Sequence, residues 1–224
     1  MDFTPILISI KTASLAILIT FFLGIFAAKL ITELRNEALR SIIDGLLILP
    51  LVLPPTVAGF FLLYLFGVHR PIGSFLLDFF GVRIVFSWGA TVLAAVVLSF
   101  PLMYRSAKGA FELVDSNLIY AARTLGMSEW KIFWRVIMPA AMPGVVSGGI
   151  LAFARGLGEF GATAMIAGNI AGKTRTVPLA IYSAVAAGDM VTAGKYVLFI
   201  TTLAIIIVTS MNYFTTNRYF ASRR

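Results

Sequence analysis

Long apolar runs dominate this chain, and polar residues come in short clusters between them. A helix needs about 20 apolar residues to cross the hydrocarbon core, because an unpaired backbone amide in lipid is costly and a helix pairs its amides internally. Five runs meet that length: Thr12 to Leu30, Leu46 to Phe66, Phe86 to Tyr104, Pro139 to Leu157 and Tyr196 to Phe214. Each is predicted to be a transmembrane helix. The stretch from Phe160 to Ala187 is also apolar, but Gly168, Gly172, Lys173, Arg175 and Pro178 interrupt it. Its pieces are too short to cross and are expected to dip into the membrane or lie at its surface. No repeat or linker breaks the pattern, so residues 1–224 are expected to form one all-α integral membrane domain.

Charge gives the pattern a direction. Lys29, Arg35, Arg40, Arg105, Lys108, Arg123, Lys131, Arg135, Arg218, Arg223 and Arg224 fall on one side of the predicted spans, against Arg70, Arg83, Lys173, Arg175 and Lys195 on the other. The richer side is cytoplasmic by the positive-inside bias. This places the N-terminus outside, the C-terminus inside and the loop of residues 105–138 in the cytoplasm, a parity that five crossings satisfy. Met1-Asp2 opens without a basic region and no cleavage pattern follows, so the first run is expected to remain as a span. Lys11, near the outer end of that span, is expected to snorkel to the interface.

Composition agrees with the bilayer. The chain is 59% apolar and 12% charged, far from the mix of soluble domains. Its net charge of +8 is accounted for by membrane orientation rather than nucleic-acid binding. With no Cys and only His69, disulfide scaffolds, thiolate metal sites and multi-His sites are excluded. Small residues Gly24, Ala28, Gly148, Gly149 and Ala152 would let helices approach closely.

The cytoplasmic loop carries its own pattern. Ser116-Asn117 can cap a helix running through Leu118, Ile119, Tyr120, Ala121, Ala122 and Arg123 to Leu125, and Gly126 can stop it. Ser128-Glu129 starts a second short helix that carries Trp130, Ile132, Phe133 and Trp134 toward Pro139. Apolar surface of this kind on the water side calls for a partner or the headgroup layer.

Ala121-Ala122-Arg123-Thr124-Leu125-Gly126, nine residues, then Val136-Ile137-Met138-Pro139 resembles the docking loop of ATP-binding-cassette importer permeases. Tyr120 stands where that pattern has Glu. The likeness extends to Leu49-Pro50-Leu51-Val52-Leu53-Pro54-Pro55, to Phe86-Ser87-Trp88, to Ser99-Phe100-Pro101-Leu102-Met103, to Ala152 through Thr163, and to Asn169 through Pro178. Together these resemble the molybdate permease subunits of the family. Sulfate and tungstate permeases share Gly158-Glu159-Phe160-Gly161 and are the alternative substrate class.

The resemblance implies a type I importer permease of the cell inner membrane, with about five spans and cytoplasmic coupling helices. It implies a second copy of the chain, a cytoplasmic ATPase dimer that carries ATP and Mg, and an extracytoplasmic molybdate-binding protein. No cofactor is expected on this chain. Residues expected to meet the ATPase are Ser116, Leu118, Ala121, Ala122, Leu125, Gly126, Met127 and Trp130.

Other candidates come from chemistry in unusual places. Arg155 and Glu159 lie one helical turn apart in an apolar segment, where ionisable groups are costly and commonly functional. A structural pair and a pathway role are both open. Pro54 and Pro55 break the second span and Thr56 offers a hydroxyl, which makes the three gate candidates or simple helix shapers. Arg70, Lys173 and Arg175 are expected on outer loops, where positive charge would steer an oxyanion or meet acidic residues of a delivery protein.

Two readings are set aside. Gly168-Asn-Ile-Ala-Gly172-Lys173-Thr174 imitates a phosphate loop, but three residues separate its glycines, no strand leads in, and it lies outside. A membrane-embedded enzyme or scaffold is the alternative of another class, and no nucleophile, base and orienter set supports it.

Overall fold

The computed structural model describes residues 2–221. Arg223 and Arg224, counted among the inner charges, lie outside the described residues. All described secondary structure is helical: α1 (Thr4–Glu33), α2 (Glu37–Val52), α3 (Pro55–Phe66), α4 (Pro71–Phe80), α5 (Trp88–Glu112), α6 (Ser116–Thr124), α7 (Glu129–Ile132), a π-helical segment (Phe133–Ile137), α8 (Met138–Leu157), α9 (Gly161–Ile166), α10 (Val177–Ala186) and α11 (Met190–Ala221). Four helical stretches are long and apolar enough to span, and α2 with α3 makes a fifth when the bent pair is counted as one crossing.

The second span, predicted from Leu46 to Phe66 with Pro54 and Pro55 breaking it, begins earlier, at Glu37, and is broken at those prolines. The chain bends by 110° between its two halves. The residue before a proline is pushed toward extended backbone, and here two such residues are consecutive: Leu53 has ψ 142° and Pro54 has ψ 135°. Pro55 then sits at the start of α3, where its missing N–H costs no hydrogen bond.

The fourth span also departs from its predicted start at Pro139, since helix runs unbroken from Glu129 to Leu157. Proline removes a donor and crowds the carbonyl four residues back. The turn just before Pro139 is widened into a π-helix, with the Met138 N–H donating to the Phe133 carbonyl, and the helix continues through the obstacle. The predicted loop of residues 105–138 shrinks accordingly, because Arg105 to Glu112 is still α5.

α1 and α5 form the centre, side by side and parallel. Thr12 faces Thr91 with hydroxyls 3.1 Å apart and Thr20 faces Ser99 at 3.2 Å, both at a sequence offset of 79. A Cβ on Gly24 would lie 2.6 Å from Met103 Cγ, so the glycine lets the two helices close. Trp88 Nε1 donates to Thr12, and the exposed Lys11 rests on the Trp88 ring at 4.6 Å. α8 packs antiparallel on α5 and also touches α1, with Gly144 meeting Ala110 and Gly148 meeting Ser106. Gly149 is in ordinary contact with Phe21 at 3.6 Å, so of the two neighbouring glycines only Gly148 is required for the approach.

Between α8 and α11 the chain forms two short helices, α9 against α3 and α10 against α1 and α11. Neither is long enough to cross. Phe86 is the one described non-glycine residue at positive φ, 59°. Its N–H donates to the Ile166 carbonyl, which pins the approach to α5 against the end of α9.

Candidate functional site

Asp115 caps α6 by accepting from the Asn117 N–H at 2.9 Å, taking the role predicted for Ser116 and Asn117. At the other end Gly126 has φ 73°, its N–H donates to the Arg123 carbonyl and the Met127 N–H donates to the Ala122 carbonyl. These two bonds are the Schellman pattern, which needs a left-handed residue and therefore favours glycine at 126. Arg123 spans the turn, its guanidinium donating to both Glu129 oxygens at 2.8 and 3.1 Å. That hydrogen bond, with the positive charge behind it, holds the Glu129 carboxyl below the usual carboxylate range.

The hairpin is fixed to the body from its inner side. Ile132 and Phe133 are buried, and the Phe133 ring meets Phe111 edge to face with centroids 5.4 Å apart. Lys29, at the inner end of α1, lies 5.2 Å from the Trp130 ring centre and 5.3 Å from that of Phe133. What remains is an outward apolar face. Leu125 is 80% exposed, Trp130 62% and Leu118 51%, with Ala121 and Ser116 also exposed. Ala122 is the exception among the expected docking residues. It is 5% exposed and turned onto its own subunit, because consecutive residues of one helix cannot share a face. Met127 is half-buried and Gly126 exposed.

The second group of candidates converges from distant parts of the chain. Arg155 Nη1 donates to Glu159 Oε2 at 2.7 Å, and Glu159 Oε1 accepts the Ala162 N–H at 2.8 Å. Glu159 is 2% exposed and both its oxygens are engaged, one on the end of α8 and one on the first turn of α9. Beside it, a Cβ on Gly161 would lie 2.9 Å from Pro55 Cβ. The bend of the second span is thus seated on the α8–α9 corner, with Pro54, Pro55 and Thr56 all exposed beside it. This arrangement favours the structural role of the ion pair, since Glu159 neutralises the Arg155 charge that would attract an anion and ties the end of α8 to the first turn of α9.

On the outer loop, Gly168 and Gly172 adopt φ 69° and 74° around a turn whose centre is the buried Thr174. Thr174 Oγ1 accepts the Ile170 N–H and donates to the Gly168 carbonyl. Arg175 donates to Asn169 Oδ1 at 2.8 Å, which itself reaches Ser183 through its amide nitrogen. The Val177 N–H donates to Ser9 of α1 at 2.7 Å. Lys173 is exposed on the turn, while Arg70 stands apart with its guanidinium 4.0 Å from the Tyr64 ring centre. Among the described residues no group of three His, Cys, Asp or Glu side chains gathers to hold a metal.

Sequence reasoning missed the polar contacts that join α2 to α5. Asp44 accepts from the Tyr104 hydroxyl at 2.5 Å and from Lys108 at 2.6 Å, and Arg40 pairs with Glu112. The available signal was spacing: Arg40 and Asp44, like Lys108 and Glu112, lie four residues apart and so share a helix face.

The described residues form a helical membrane domain with a hairpin presented on its positively charged side. The chain matches, over residues 20–224, the model of the family described as binding-protein-dependent transport system inner membrane component, and it belongs to that family. It is an inner-membrane transport subunit, not an enzyme, working with an ATPase and a substrate-binding protein. It is 46% identical over 182 residues to the molybdenum transport system permease protein ModB of Escherichia coli (strain K12), covering 81% of this chain and 79% of that one. The ModB protein of Haemophilus influenzae is 43% identical over 183 residues, covering 82% and 80%. Among solved structures, an inward-facing MetNI methionine ABC transporter chain aligns with TM-score 0.73 at 15% identity over 95% of this chain and 94% of its own. A bacterial ABC transporter involved in alginate import aligns with TM-score 0.73 at 16% identity, over 96% and 78%. At these identities the likeness is one of fold.

Proposed function

We propose that this chain is the membrane-spanning subunit of a molybdate importer, paired with a second copy of itself around a central pathway. Two cytoplasmic ATP-binding-cassette subunits, carrying ATP and Mg, dock on the α6–α7 hairpins, and a molybdate-binding protein delivers the anion to the outer loops near Arg70, Lys173 and Arg175. Closing of the ATPase pair draws the two hairpins together, and rigid-body motion of the helices opens the pathway outward. The observation that carries the docking reading is the Schellman-closed hairpin, whose exposed Leu118, Ala121, Leu125 and Trp130 face away from the body. The substrate reading rests on the ModB relatives at 46% and 43% identity.

The test is reconstitution of the complete complex in liposomes with binding protein loaded with molybdate, tungstate or sulfate. Molybdate-loaded protein should stimulate ATP hydrolysis and anion uptake. Stimulation by sulfate alone would overturn the substrate, and an ATPase that fails to co-purify with the wild-type chain would overturn the docking.

A further inference from the structure

Helix α2 has no buried residue along its 16 positions. It nevertheless lies along α5, on a half-buried stripe formed by Arg40, Ile43, Asp44, Leu47 and Ile48. The outer half of that stripe is aliphatic and the inner half is ionic. Arg40 pairs with Glu112, and one turn on, Asp44 holds both Lys108 Nζ at 2.6 Å and the Tyr104 hydroxyl at 2.5 Å. The rungs step up one helix as they step down the other, so the two helices are antiparallel and the register is set by charge. The side chains of Lys108 and Asp44 are 16% and 25% exposed, enough burial to make the pair directional and too much for it to be ordinary surface charge.

An aliphatic stripe would hold α2 against α5 at least as well, since a buried ion pair adds little net stability over a packed apolar one. What ions add is a unique alignment, because a slip of one turn sets Arg40 against Lys108, two like charges. Position gives that alignment a use. Lys108 and Glu112 occupy the last turns of α5, and Asp115, the cap of α6, follows at once. At its far end α2 terminates in the Pro54–Pro55 bend seated on Gly161 and the Arg155–Glu159 corner. α2 is therefore a lever with the docking hairpin at one end and the pathway candidates at the other, attached at the hairpin end by two ionic rungs.

We propose that the Arg40–Glu112 and Asp44–Lys108 rungs, with Tyr104, key α2 to α5, so that displacement of the docking hairpin is passed to the Pro54–Pro55 bend. Arg40, Asp44, Lys108 and Glu112 are then positioning residues for transport. The inference rests on the docking reading above.

The test uses the complete complex in liposomes and reads molybdate transported per ATP hydrolysed, a ratio that simple loss of folded protein does not change. Asp44→Lys alone and Lys108→Asp alone should still co-purify with the ATPase but lower the ratio about fivefold or more, the lower end of ordinary coupling. The double swap Asp44→Lys with Lys108→Asp should restore most of it. Arg40→Glu and Glu112→Arg, singly and together, repeat the design at a rung whose side chains are 33% and 43% exposed and thus tolerant of substitution. Single variants with the wild-type ratio, or double swaps no better than singles at both rungs, would overturn the proposal while leaving docking intact. A wild-type chain that recruits no ATPase would overturn the docking reading and this inference with it.

Discussion

Gly148 and Gly149 are adjacent on α8, chemically identical, and predicted to respond oppositely to the same methyl group. A Cβ on Gly148 would lie 2.4 Å from Ser106 Cβ, whereas one on Gly149 would meet Phe21 at 3.6 Å, an ordinary contact. Relieving the first requires α8 to move about 1 Å off α5 to reach normal van der Waals separation, and the neighbouring Gly144–Ala110 contact at 2.7 Å shows how little slack the seam has. Overpacking a close seam costs about 1–3 kcal/mol. At about 2–4 °C per kcal/mol for a domain of this size, Gly148→Ala should lower the melting temperature of the detergent-solubilised chain by several degrees. Gly149→Ala should leave it within a degree or gain slightly from the lost chain entropy. Adding Ser106→Gly to Gly148→Ala removes the colliding atom and should recover part of the loss. Equal melting temperatures for the two single variants would refute the packing argument.

Leu125→Asp should abolish ATPase co-purification while leaving the melting temperature unchanged, since the side chain is 80% exposed in the free subunit. Glu159→Ala removes a carboxylate that is 2% exposed and strands Arg155, so it should cost about 3 kcal/mol, the low end for a broken buried pair because the Arg155 side chain keeps 29% exposure; a thermal melt that matches the wild type would contradict the role given to the pair. The Arg123 hydrogen bond lowers the pKa of Glu129, so the clamp contributes fully above the ordinary value of 4.5 and is lost as pH falls through the depressed one. Docking measured by pull-down should therefore be flat from about pH 8 to about pH 5 and weaken only below, and Glu129→Gln should remove that acid-side fall.

The apolar runs made the spans legible because the bilayer demands length, and the charge imbalance made their direction legible. What the sequence concealed was geometry that depends on competition between neighbours. Pro54–Pro55 and Pro139 are alike as residues, yet the first pair bends its span by 110° and the second is absorbed by a π turn. The difference is that Leu53 and Pro54 are both forced toward extended backbone, while a single proline leaves only one carbonyl to accommodate. In the hairpin, the stop at Gly126 was legible in the sequence and the docking leucines came with the family likeness, but the inward turn of Ala122 required knowing which face Ile132 and Phe133 had already claimed. Arg40 and Asp44 were readable as charges and not as partners, because Glu112 and Lys108 are separated from them by 72 and 64 residues.

The parallel pairing of α1 with α5 settles how the bent pair must be counted. Two helices in constant register at an offset of 79 run in the same direction, so the chain between them has to return across the membrane once. α2 makes most of that return, about 24 Å along its 16 residues at 1.5 Å per residue, before the 110° bend turns α3 aside. α8 then runs back antiparallel to α5, which puts the α6–α7 hairpin on the same face as the α1–α2 connection and its positive charges, and puts Glu159 and the Pro54–Pro55 bend toward the opposite face. The 20 residues of α8 separate hairpin from corner by about 30 Å at 1.5 Å per residue. A movement at the hairpin therefore reaches the corner only through helices that keep their alignment over that distance, which is the condition that the glycine contacts of α5 with α1 and α8, and the ionic rungs of α2 on α5, jointly meet.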